Sequence, residues 1–303
     1  MAMNWSVFRT RALSALLFAA VMAAGLLPQN NWPFLILFTV IHFGCWMEYQ
    51  KLVALIDSGY RAIHFFHRYG VMLAGFCLML FFTDGWMVGR SGVSLHSIGW
   101  MVGIPCLFLL PVSEILFSKQ LVVKNILHSV FGLVYISLSW ALLLHIRTGS
   151  LWMPHNGHTP MESASETLAQ LSGYTVPLIL IASIWINDTM AYIVGSFIGK
   201  TPLSQVSPKK TWEGTVGGVV LSVLIVWAVG FFMEPSTAWA WGCIASIAAV
   251  FGTVGDLLES KLKRLAGVKD SGAVLPGHGG FLDRFDSLLL AVPFVWLFLK
   301  LIA

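Results

Sequence analysis

The sequence predicts an all-α polytopic integral membrane protein with about nine transmembrane helices and a cytoplasmic N-terminus. Three observations support this fold class. Hydrophobic residues make up 57% of the 303-residue chain, charged residues make up 11%, and the mean hydropathy is +0.80. A soluble protein carries roughly a quarter charged residues, so most of this chain is expected to lie in lipid. The apolar residues also form runs of spanning length, and the basic residues fall in alternate loops.

Nine apolar runs approach the length of about 20 residues that a spanning helix needs. The first run follows two arginines and resembles a signal peptide, but eight more runs follow it, so we expect a retained helix. The runs cover residues 12–29, 31–48, 69–84, 97–117, 126–146, 175–198, 214–233, 236–255 and 287–303.

The basic residues predict the orientation of these helices. Fifteen of the 18 Lys and Arg residues fall on one side, whereas Arg90 and Arg147 lie in the opposite loops and Lys300 lies in the last run. Cytoplasmic loops carry the excess of Lys and Arg, so this side is expected to be cytoplasmic. The fifteen residues are Arg9, Arg11, Lys51, Arg61, Arg68, Lys119, Lys124, Lys200, Lys209, Lys210, Lys261, Lys263, Arg264, Lys269 and Arg284.

The longest polar stretch, residues 146–174, is expected on the non-cytoplasmic side. His155 and His158 lie in it, but histidines in a loop rich in Pro and Gly are typical of solvated side chains, and we assign them no metal. We divide the chain into residues 1–174, with about five spans, and residues 175–303, with about four.

Cysteines in apolar stretches without paired spacing predict buried free thiols. They are Cys45, Cys77, Cys106 and Cys243.

Charge is concentrated between Asp256 and Asp286. Of the charged residues of the chain, 18 basic and 14 acidic, ten lie in this stretch. Three glycines surround His278 in the same stretch. Glycine allows a backbone to approach a ligand closely, carboxylates suit hard divalent cations, and Lys and Arg suit phosphate oxygens. The pattern favours a phosphate and cation site over the alternative, a simple solvated loop.

A second cationic segment, Lys209 and Lys210 after Ser207, precedes a helix that starts near Thr211. A basic pair beside a helix N-terminus favours phosphate. A topogenic loop is the alternative, and the Gly214/Gly218 spacing also suits helix packing.

Five further features lie in or beside the apolar runs. Asp188 lies in the sixth run, where a charge costs about 2.5–3.5 kcal/mol, so we expect it to be functional, with structural pairing as the alternative. The segment 195–201 is similar to a P-loop but has three residues between its glycines, which indicates helix packing and a helix end. Glu48, Glu114 and His128 lie nearer to span ends and are expected to be interfacial.

Four consecutive motifs resemble a known family. They are SKLKR at 260–264, KD at 269–270, PGHGG at 276–280 and DRFD at 283–286. This signature resembles that of the phosphatidate cytidylyltransferases, the CDP-diacylglycerol synthases, without departing from it. The segments NDTMAYIVG and SPKKTWEG also resemble family blocks, so the resemblance covers about residues 175–303.

The resemblance implies transfer of CMP from CTP to phosphatidic acid, giving CDP-diacylglycerol and pyrophosphate, with Mg²⁺ and room for a second metal ion. It implies an enzyme of the bacterial inner (plasma) membrane with its active site facing the cytoplasm. CTP, phosphatidic acid and the bilayer are the expected partners, and no nucleic acid is expected. The resemblance and the glycine-spaced helices are compatible with a homodimer.

Residue roles follow from the same resemblance. The phosphate monoester of phosphatidate is already anionic, so the chemical difficulty is electrostatic repulsion rather than the lack of a nucleophile. The resemblance places a metal centre on Asp256 and Asp283, with Asp286 and Asp188 as candidates for completing it. Residues expected to bind or orient phosphates and ribose are Ser207, Lys209, Lys210, Lys263, Arg264, Lys269, Asp270, His278, Gly279, Gly280 and Arg284.

Two other readings stay open at this point. A polyprenyl phosphate could replace phosphatidate, because acyl-chain pockets carry no readable motif. A transporter is supported by the spans alone and predicts no turnover of CTP. The aspartate-rich motif of the CDP-alcohol phosphotransferases does not occur in the sequence.

Overall fold

The computed structural model describes residues 5–83, 87–88, 93–117, 122–148, 171, 173–272 and 279–302. A helix overlaps each of the nine predicted apolar runs. The helices are α1 (Trp5–Leu26), α2 (Asn31–Ile56), α3 (Phe65–Phe81), α4 (Leu95–Phe117), α5 (Val123–Gly132), α6 (Ser139–Thr148), α7 (Thr175–Ile198), α8 (Trp212–Met233), α9 (Ala238–Leu265) and α10 (Leu282–Ile302). A π-helical segment, Leu133–Leu138, joins α5 to α6, and short 3₁₀ turns cover Ser58–Ala62 and Pro235–Thr237.

Six helical segments in the described ranges are long and apolar enough to cross a membrane. They are Leu95–Phe117, Val123–Thr148, Thr175–Ile198, Trp212–Met233, Pro235–Leu265 and Leu282–Ile302. Leu13–Leu26 and Phe65–Phe81 are shorter apolar helices. The chain is therefore an α-helical polytopic membrane protein, as predicted, while the count of nine spans and the orientation stay predictions.

Large apolar side chains point outward along these helices, as lipid-facing surfaces require. Phe197 and Phe232 are 83% and 86% exposed, and only 11% of the apolar window of α4 is buried. Such an apolar exterior would be unusual on a water-soluble monomer but is ordinary in a bilayer.

Two short strands in the described part of the chain depart from a purely α-helical prediction. Strands β1 (Met87–Val88) and β2 (Val93–Ser94) pair antiparallel, with Met87 opposite Ser94. The hairpin falls in a predicted polar loop, so it does not alter the helical plan.

The chain forms two compact units, and each is described by itself. The first contains Met1–Phe81, Met87–Leu138 and Leu262–Phe285; the second contains Phe82–Trp86, Ser139–Lys261 and Asp286–Ala303. These units are defined by packing. The division between residues 174 and 175 rests on where the motifs lie and stays a prediction.

In the first unit, the π-helical segment turns Ser137 towards α2. The Ser137 hydroxyl lies 3.0 Å from Nε2 of His42 and accepts the indole N–H of Trp46 at 2.8 Å. Gly75 of α3 packs directly against Ser137, and Gly132 packs against the Trp46 ring. Small residues thus allow these helices to approach closely, as they do in many membrane proteins.

A second buried polar group in this unit joins α3, α4 and α5. His67 bridges Glu114, at 2.8 Å from Nδ1, and Ser129, at 2.7 Å from Nε2. Glu114 is 1% exposed and lies inside the packed unit with a histidine partner, while its predicted position at the membrane interface stays a prediction. Pairing makes burial of its carboxylate tolerable.

In the second unit, α7 and α8 pack through glycines. A Cβ on Gly214 would lie 2.7 Å from the carbonyl oxygen of Ala191, and one on Gly218 would lie 2.7 Å from the Ala191 Cβ. Helix α7 ends at Ile198, and the N–H of Gly199 donates to Gly195. The interpretation of segment 195–201 as helix packing and a helix end is therefore confirmed.

All four cysteines are free thiols, and Cys45 and Cys77 are buried, whereas Cys106 and Cys243 are half-buried.

Candidate active site

Four acidic side chains and one lysine interact in the second unit. We call Asp188, Lys210, Asp256, Glu259 and Asp286 the carboxylate cluster. Lys210 forms an ion pair with Asp256. The side chains of Asp286 and Asp256 contact each other, Asp286 also interacts electrostatically with Glu259, and Asp188 interacts electrostatically with both Lys210 and Asp256. The cluster brings together the sequence-predicted Asp188, Lys210, Asp256 and Asp286.

Close packing of α9 against the second-unit part of α10 makes this cluster. A Cβ on Gly255 would lie 2.5 Å from the carbonyl oxygen of Asp286, closer than real Cβ atoms approach, so only glycine fits there. The next residue is Asp256, whose carboxylate can therefore reach Asp286. Glu259 follows on the next helical turn and is 0% exposed.

The loop before α8 positions Lys210. Its N–H donates to the carbonyl of Ser207 at 3.1 Å, and its own carbonyl accepts the N–H of Leu203 at 2.7 Å. Thr211 then caps α8 by accepting the N–H of Gly214 at 3.2 Å. Glu213 accepts the N–H groups of Lys200 and Thr201 at 3.1 and 3.2 Å. The loop is thus fixed by its own backbone, and Lys210 emerges from a defined turn.

The donors of the carboxylate cluster fit a divalent cation that is shared with a ligand. Two carboxylates in direct contact repel unless a proton or a cation lies between them. In the described ranges, no three His, Cys, Asp or Glu side chains form a group that could hold a metal by themselves. Mg²⁺ is usually bound by one or two carboxylates together with waters and substrate phosphates, and Asp256 and Asp286 provide that number.

The first unit contains the other part of the signature, the loop between α9 and α10, which we call the signature loop (residues 266–281). Glu48 of α2 makes three hydrogen bonds to this loop and to the first residue of α10. The N–H groups of Phe281 and Leu282 donate to the Glu48 carboxylate at 3.0 and 2.8 Å, and the Ser271 hydroxyl donates to it at 2.7 Å. Glu48 is 3% exposed. It therefore caps the N-terminus of α10, where unpaired backbone N–H groups and the helix dipole favour a carboxylate.

Asp283 binds the same loop from the other side. Its Oδ2 accepts the N–H groups of Gly280 and Ser271 at 2.8 and 2.9 Å and lies 3.0 Å from the hydroxyl oxygen of Ser271. Its Oδ1 accepts from Nζ of Lys263 at 2.6 Å. Asp283 thus links Ser271 and Gly280, which lie in the described parts of the signature loop. Its assignment as a metal ligand stays a prediction.

Glycines make room for these two carboxylates. A Cβ on Gly272 or on Gly280 would overlap the Glu48 carboxylate, and a Cβ on Gly279 would lie 2.6 Å from Oδ2 of Asp283. Gly279 also has a φ of 81°, a backbone conformation that residues with a side chain rarely adopt. The glycines predicted to let the backbone approach a ligand are thus used, here, to approach protein carboxylates.

A Schellman motif ends α9 and starts the signature loop. The N–H of Gly267 (φ 70°) donates to Arg264 and that of Val268 donates to Lys263, at 3.1 and 3.0 Å. The side chain of Arg264 donates to the carbonyl of Val268 at 3.3 Å.

The remaining predicted phosphate-binding residues are described one by one. Lys209, Lys269 and Asp270 are exposed, and the Arg284 guanidinium lies 6.0 Å from the centre of the Phe18 ring. Ser207 contributes its carbonyl to the turn at Lys210. His278 lies outside the described residues, as does most of the predicted 146–174 loop with His155 and His158.

The sequence analysis missed Glu48, Ser271 and Glu259. Glu48 is predicted to be interfacial, and its depth in the membrane stays a prediction. The structure adds that its carboxylate is buried against the signature loop. An ionisable residue at the end of an apolar run is the same signal that identified Asp188. Applied evenly, it would have identified Glu48 as well.

Comparison with known proteins supports a function for this arrangement. A model of the cytidylyltransferase family matches residues 9–302. A protein of Synechocystis sp. named phosphatidate cytidylyltransferase is 36% identical over 192 residues, which are 61% of this chain and 65% of that protein. Proteins with the same name from Staphylococcus saprophyticus and Staphylococcus aureus are 48% and 46% identical over 112 residues, 36% of this chain and 43% of each relative. The matches thus span less than two thirds of each relative's length.

Proposed function

Because the chain belongs to the cytidylyltransferase family, we propose that it transfers CMP from CTP to phosphatidic acid, giving CDP-diacylglycerol and pyrophosphate. The curated relatives carry the name of this activity. The observation that carries the proposal is the ion pair of Lys210 with Asp256 beside the Asp286 carboxylate in an otherwise apolar protein. Isolated charges at membrane depth are costly, so a cluster of them is expected to serve a function.

The reaction joins two anions. An oxygen of the phosphatidate phosphate attacks the α-phosphorus of CTP, the bond from that phosphorus to the bridging oxygen breaks, and pyrophosphate leaves. Neither a serine nor a cysteine nucleophile is needed. The protein must reduce the repulsion between the lipid phosphate and the triphosphate and stabilise the leaving group.

Lys210 suits this task because its ammonium group is held at a defined turn and faces Asp256. A triphosphate would give that ammonium group phosphate oxygens as further partners. Lys263 and Arg264 continue α9 towards its C-terminus, and with Lys269 and Arg284 they stay our predicted phosphate contacts.

The chain's own carboxylates supply the place for Mg²⁺. Asp256 and Asp286 would hold the ion, and Asp188 and Glu259 would balance its charge from nearby positions. When bound, the ion would neutralise phosphate charge. Because the protein offers two contacting carboxylates, the ion is expected to bind more tightly when CTP phosphates complete its coordination.

The cellular placement is also part of the proposal. The excess of Lys and Arg on one side supports a bacterial inner-membrane protein with the carboxylate cluster at the cytoplasmic surface, where CTP is dissolved. In a variant with the four native cysteines replaced, Lys200→Cys should react with a membrane-impermeant maleimide only after the cells are opened. His155→Cys should react in intact cells. The reverse pattern would contradict this orientation.

One assay tests the activity. Purified full-length protein is given labelled CTP with phosphatidic acid, with a polyprenyl phosphate, or with no lipid, each with and without Mg²⁺. We expect labelled CDP-diacylglycerol only with phosphatidic acid and Mg²⁺. Transfer to the polyprenyl phosphate alone would replace the proposed substrate, and solute flux in liposomes without CTP turnover would favour a transporter. The mass of the protein in detergent tests the predicted homodimer.

A further inference from the structure

A cavity of about 390 Å³ opens in the first unit where α2 ends and α3 begins. Three basic side chains, Lys51, Arg61 and Arg68, line it, and they are exposed to solvent. Buried Gln50 and Tyr60 also line it. Among the described residues that line this cavity, none is acidic. We call it the basic cavity.

The two arginines are held in place rather than left mobile. Nε of Arg61 donates to the carbonyl of Ala54 at 2.8 Å. Nε of Arg68 donates to Oε1 of Gln50 at 3.2 Å, and the Gln50 amide donates back to the Arg68 carbonyl at 2.9 Å. The two bonds that the arginine side chains donate use Nε, so these bonds do not occupy the terminal guanidinium nitrogens. Two preoriented guanidinium groups suit an anion with several oxygens, such as a phosphate.

The lining is not purely polar, since Leu55 and Ile63 contribute apolar surface beside the cations. Leu55 is 47% exposed. Cations beside exposed aliphatic side chains fit a molecule that has a phosphate at one end and hydrocarbon at the other. The cavity lies at the end of the second apolar run, on the predicted cytoplasmic side, where lipid head groups are expected. Its volume suits a head group rather than a whole lipid.

We propose that the basic cavity binds the phosphate head group of an anionic phospholipid. Its residues are separate from the carboxylate cluster and from the signature loop, and none of them is among the residues assigned to the reaction. The binding would place a charged lipid against the helix that carries Glu48. The proposal does not require the enzyme to turn over CTP.

The test uses a lipid that is not the proposed substrate. Dihexanoyl phosphatidylglycerol is titrated into the purified full-length protein in a neutral detergent without CTP, and dihexanoyl phosphatidylcholine serves as the uncharged comparison. We expect phosphatidylglycerol to bind the unaltered protein. Its affinity for the double variant Arg61→Gln/Arg68→Gln should be about twenty-five-fold lower, at about fivefold for each cation removed from a membrane surface. Lys51→Gln, whose side chain is exposed, is expected to weaken binding about fivefold without affecting folding.

The matched control removes two positive charges elsewhere on the predicted cytoplasmic side. Lys124→Gln/Lys200→Gln changes exposed residues that do not line the cavity, and it should bind phosphatidylglycerol like the unaltered protein. Equal binding by Lys51→Gln and the unaltered protein, or equal weakening by the control, would overturn the proposal. Complete displacement of the lipid by equimolar inorganic phosphate would also overturn it, because the cavity would then be a site for free phosphate.

Discussion

Glu48 and Leu282 are separated by 234 residues, yet the backbone N–H of Leu282 donates to the Glu48 carboxylate at 2.8 Å. The contact joins the second helix of the chain to the first residue of the last. It shows that the signature loop is held from outside the signature itself. The N-terminal half is therefore part of what shapes the motif.

Replacing Glu48 should disrupt this loop. Glu48→Ala leaves the N–H groups of Phe281 and Leu282 without their acceptor, at about 1–3 kcal/mol for each buried donor. We expect a lower midpoint of thermal unfolding in detergent and at least about tenfold lower kcat. Glu48→Gln keeps an acceptor oxygen and should recover part of both.

A structural role far from the reaction would lower stability but leave the kinetic constants of the surviving protein unchanged. The maximal rate divided by the concentration of folded protein, measured at a temperature below the unfolding range, separates the two cases. Glu234→Gln is the matched control, since Glu234 is exposed and its carboxylate accepts the hydroxyl of nearby Ser236 at 2.9 Å.

Gly280 tests the same contact by adding a single methyl group. A Cβ at Gly280 would overlap the Glu48 carboxylate, so Gly280→Ala should lower the free energy of unfolding by about 1–3 kcal/mol. Gly242→Ala in α9 adds the same group where the nearest atoms are 3.5 Å away, and it should be neutral or slightly stabilising. Thermal unfolding of both variants checks this, and equal losses would contradict it.

The paired carboxylates Asp256 and Asp286 should be required for the metal. Asp256→Asn and Asp286→Asn are each expected to lower kcat by about 10²–10³-fold, the usual loss when one charge-stabilising group is removed from an active site. A second readout is independent of turnover: Mg²⁺ with CTP should raise the unfolding temperature of the unaltered protein and not of the variants. Near-normal activity in both variants would rule out this metal assignment.

Removal of one negative charge has a further consequence in the absence of metal. Because Asp256 and Asp286 contact each other, Asp286→Asn should unfold in EDTA at the same temperature as the unaltered protein or higher. A lower temperature in EDTA would mean that the aspartate is needed for folding rather than for metal binding.

Lys210 and Lys209 are neighbours with different surroundings. Lys210 pairs with Asp256 from a hydrogen-bonded turn, whereas Lys209 is exposed. Lys210→Ala should lower kcat/KM for CTP by about 10–100-fold, the range for loss of a charged hydrogen bond, and Lys209→Ala should have a smaller effect. Lys124→Ala controls for the loss of one positive charge. Similar losses for Lys209 and Lys210 would indicate that only local net charge matters.

The helices could be predicted from sequence because each one corresponds to an apolar run of consecutive residues. Residues 175–198 form both a predicted run and α7, with the same bounds. The two charged segments of the sequence also identified Asp256, Asp286 and Lys210, which the structure brings together. Hydrophobic length and motif spacing depend only on nearby residues, so they can be read without knowing the packing.

What could not be predicted depends on distant pairing. Glu48 looked interfacial because its partners lie more than 200 residues away. Asp283 could be recognised as a motif residue, but the sequence did not reveal that Ser271 and Gly280 donate to it. Gly279 and Gly280 are predicted to let the backbone approach a ligand, whereas in the structure a Cβ at these positions would meet Asp283 and Glu48, respectively. Spacing identifies which residue types are present, and packing decides which groups they contact.

The cap that Glu48 places on α10 limits how this protein can be divided or recombined. A fragment beginning at residue 175 would carry every signature motif and still lack the acceptor for Phe281, Leu282 and Ser271. Chimeras between relatives should therefore exchange α2 together with the signature loop. A glutamate that no motif contains becomes the residue that any transplant of the motif must bring with it.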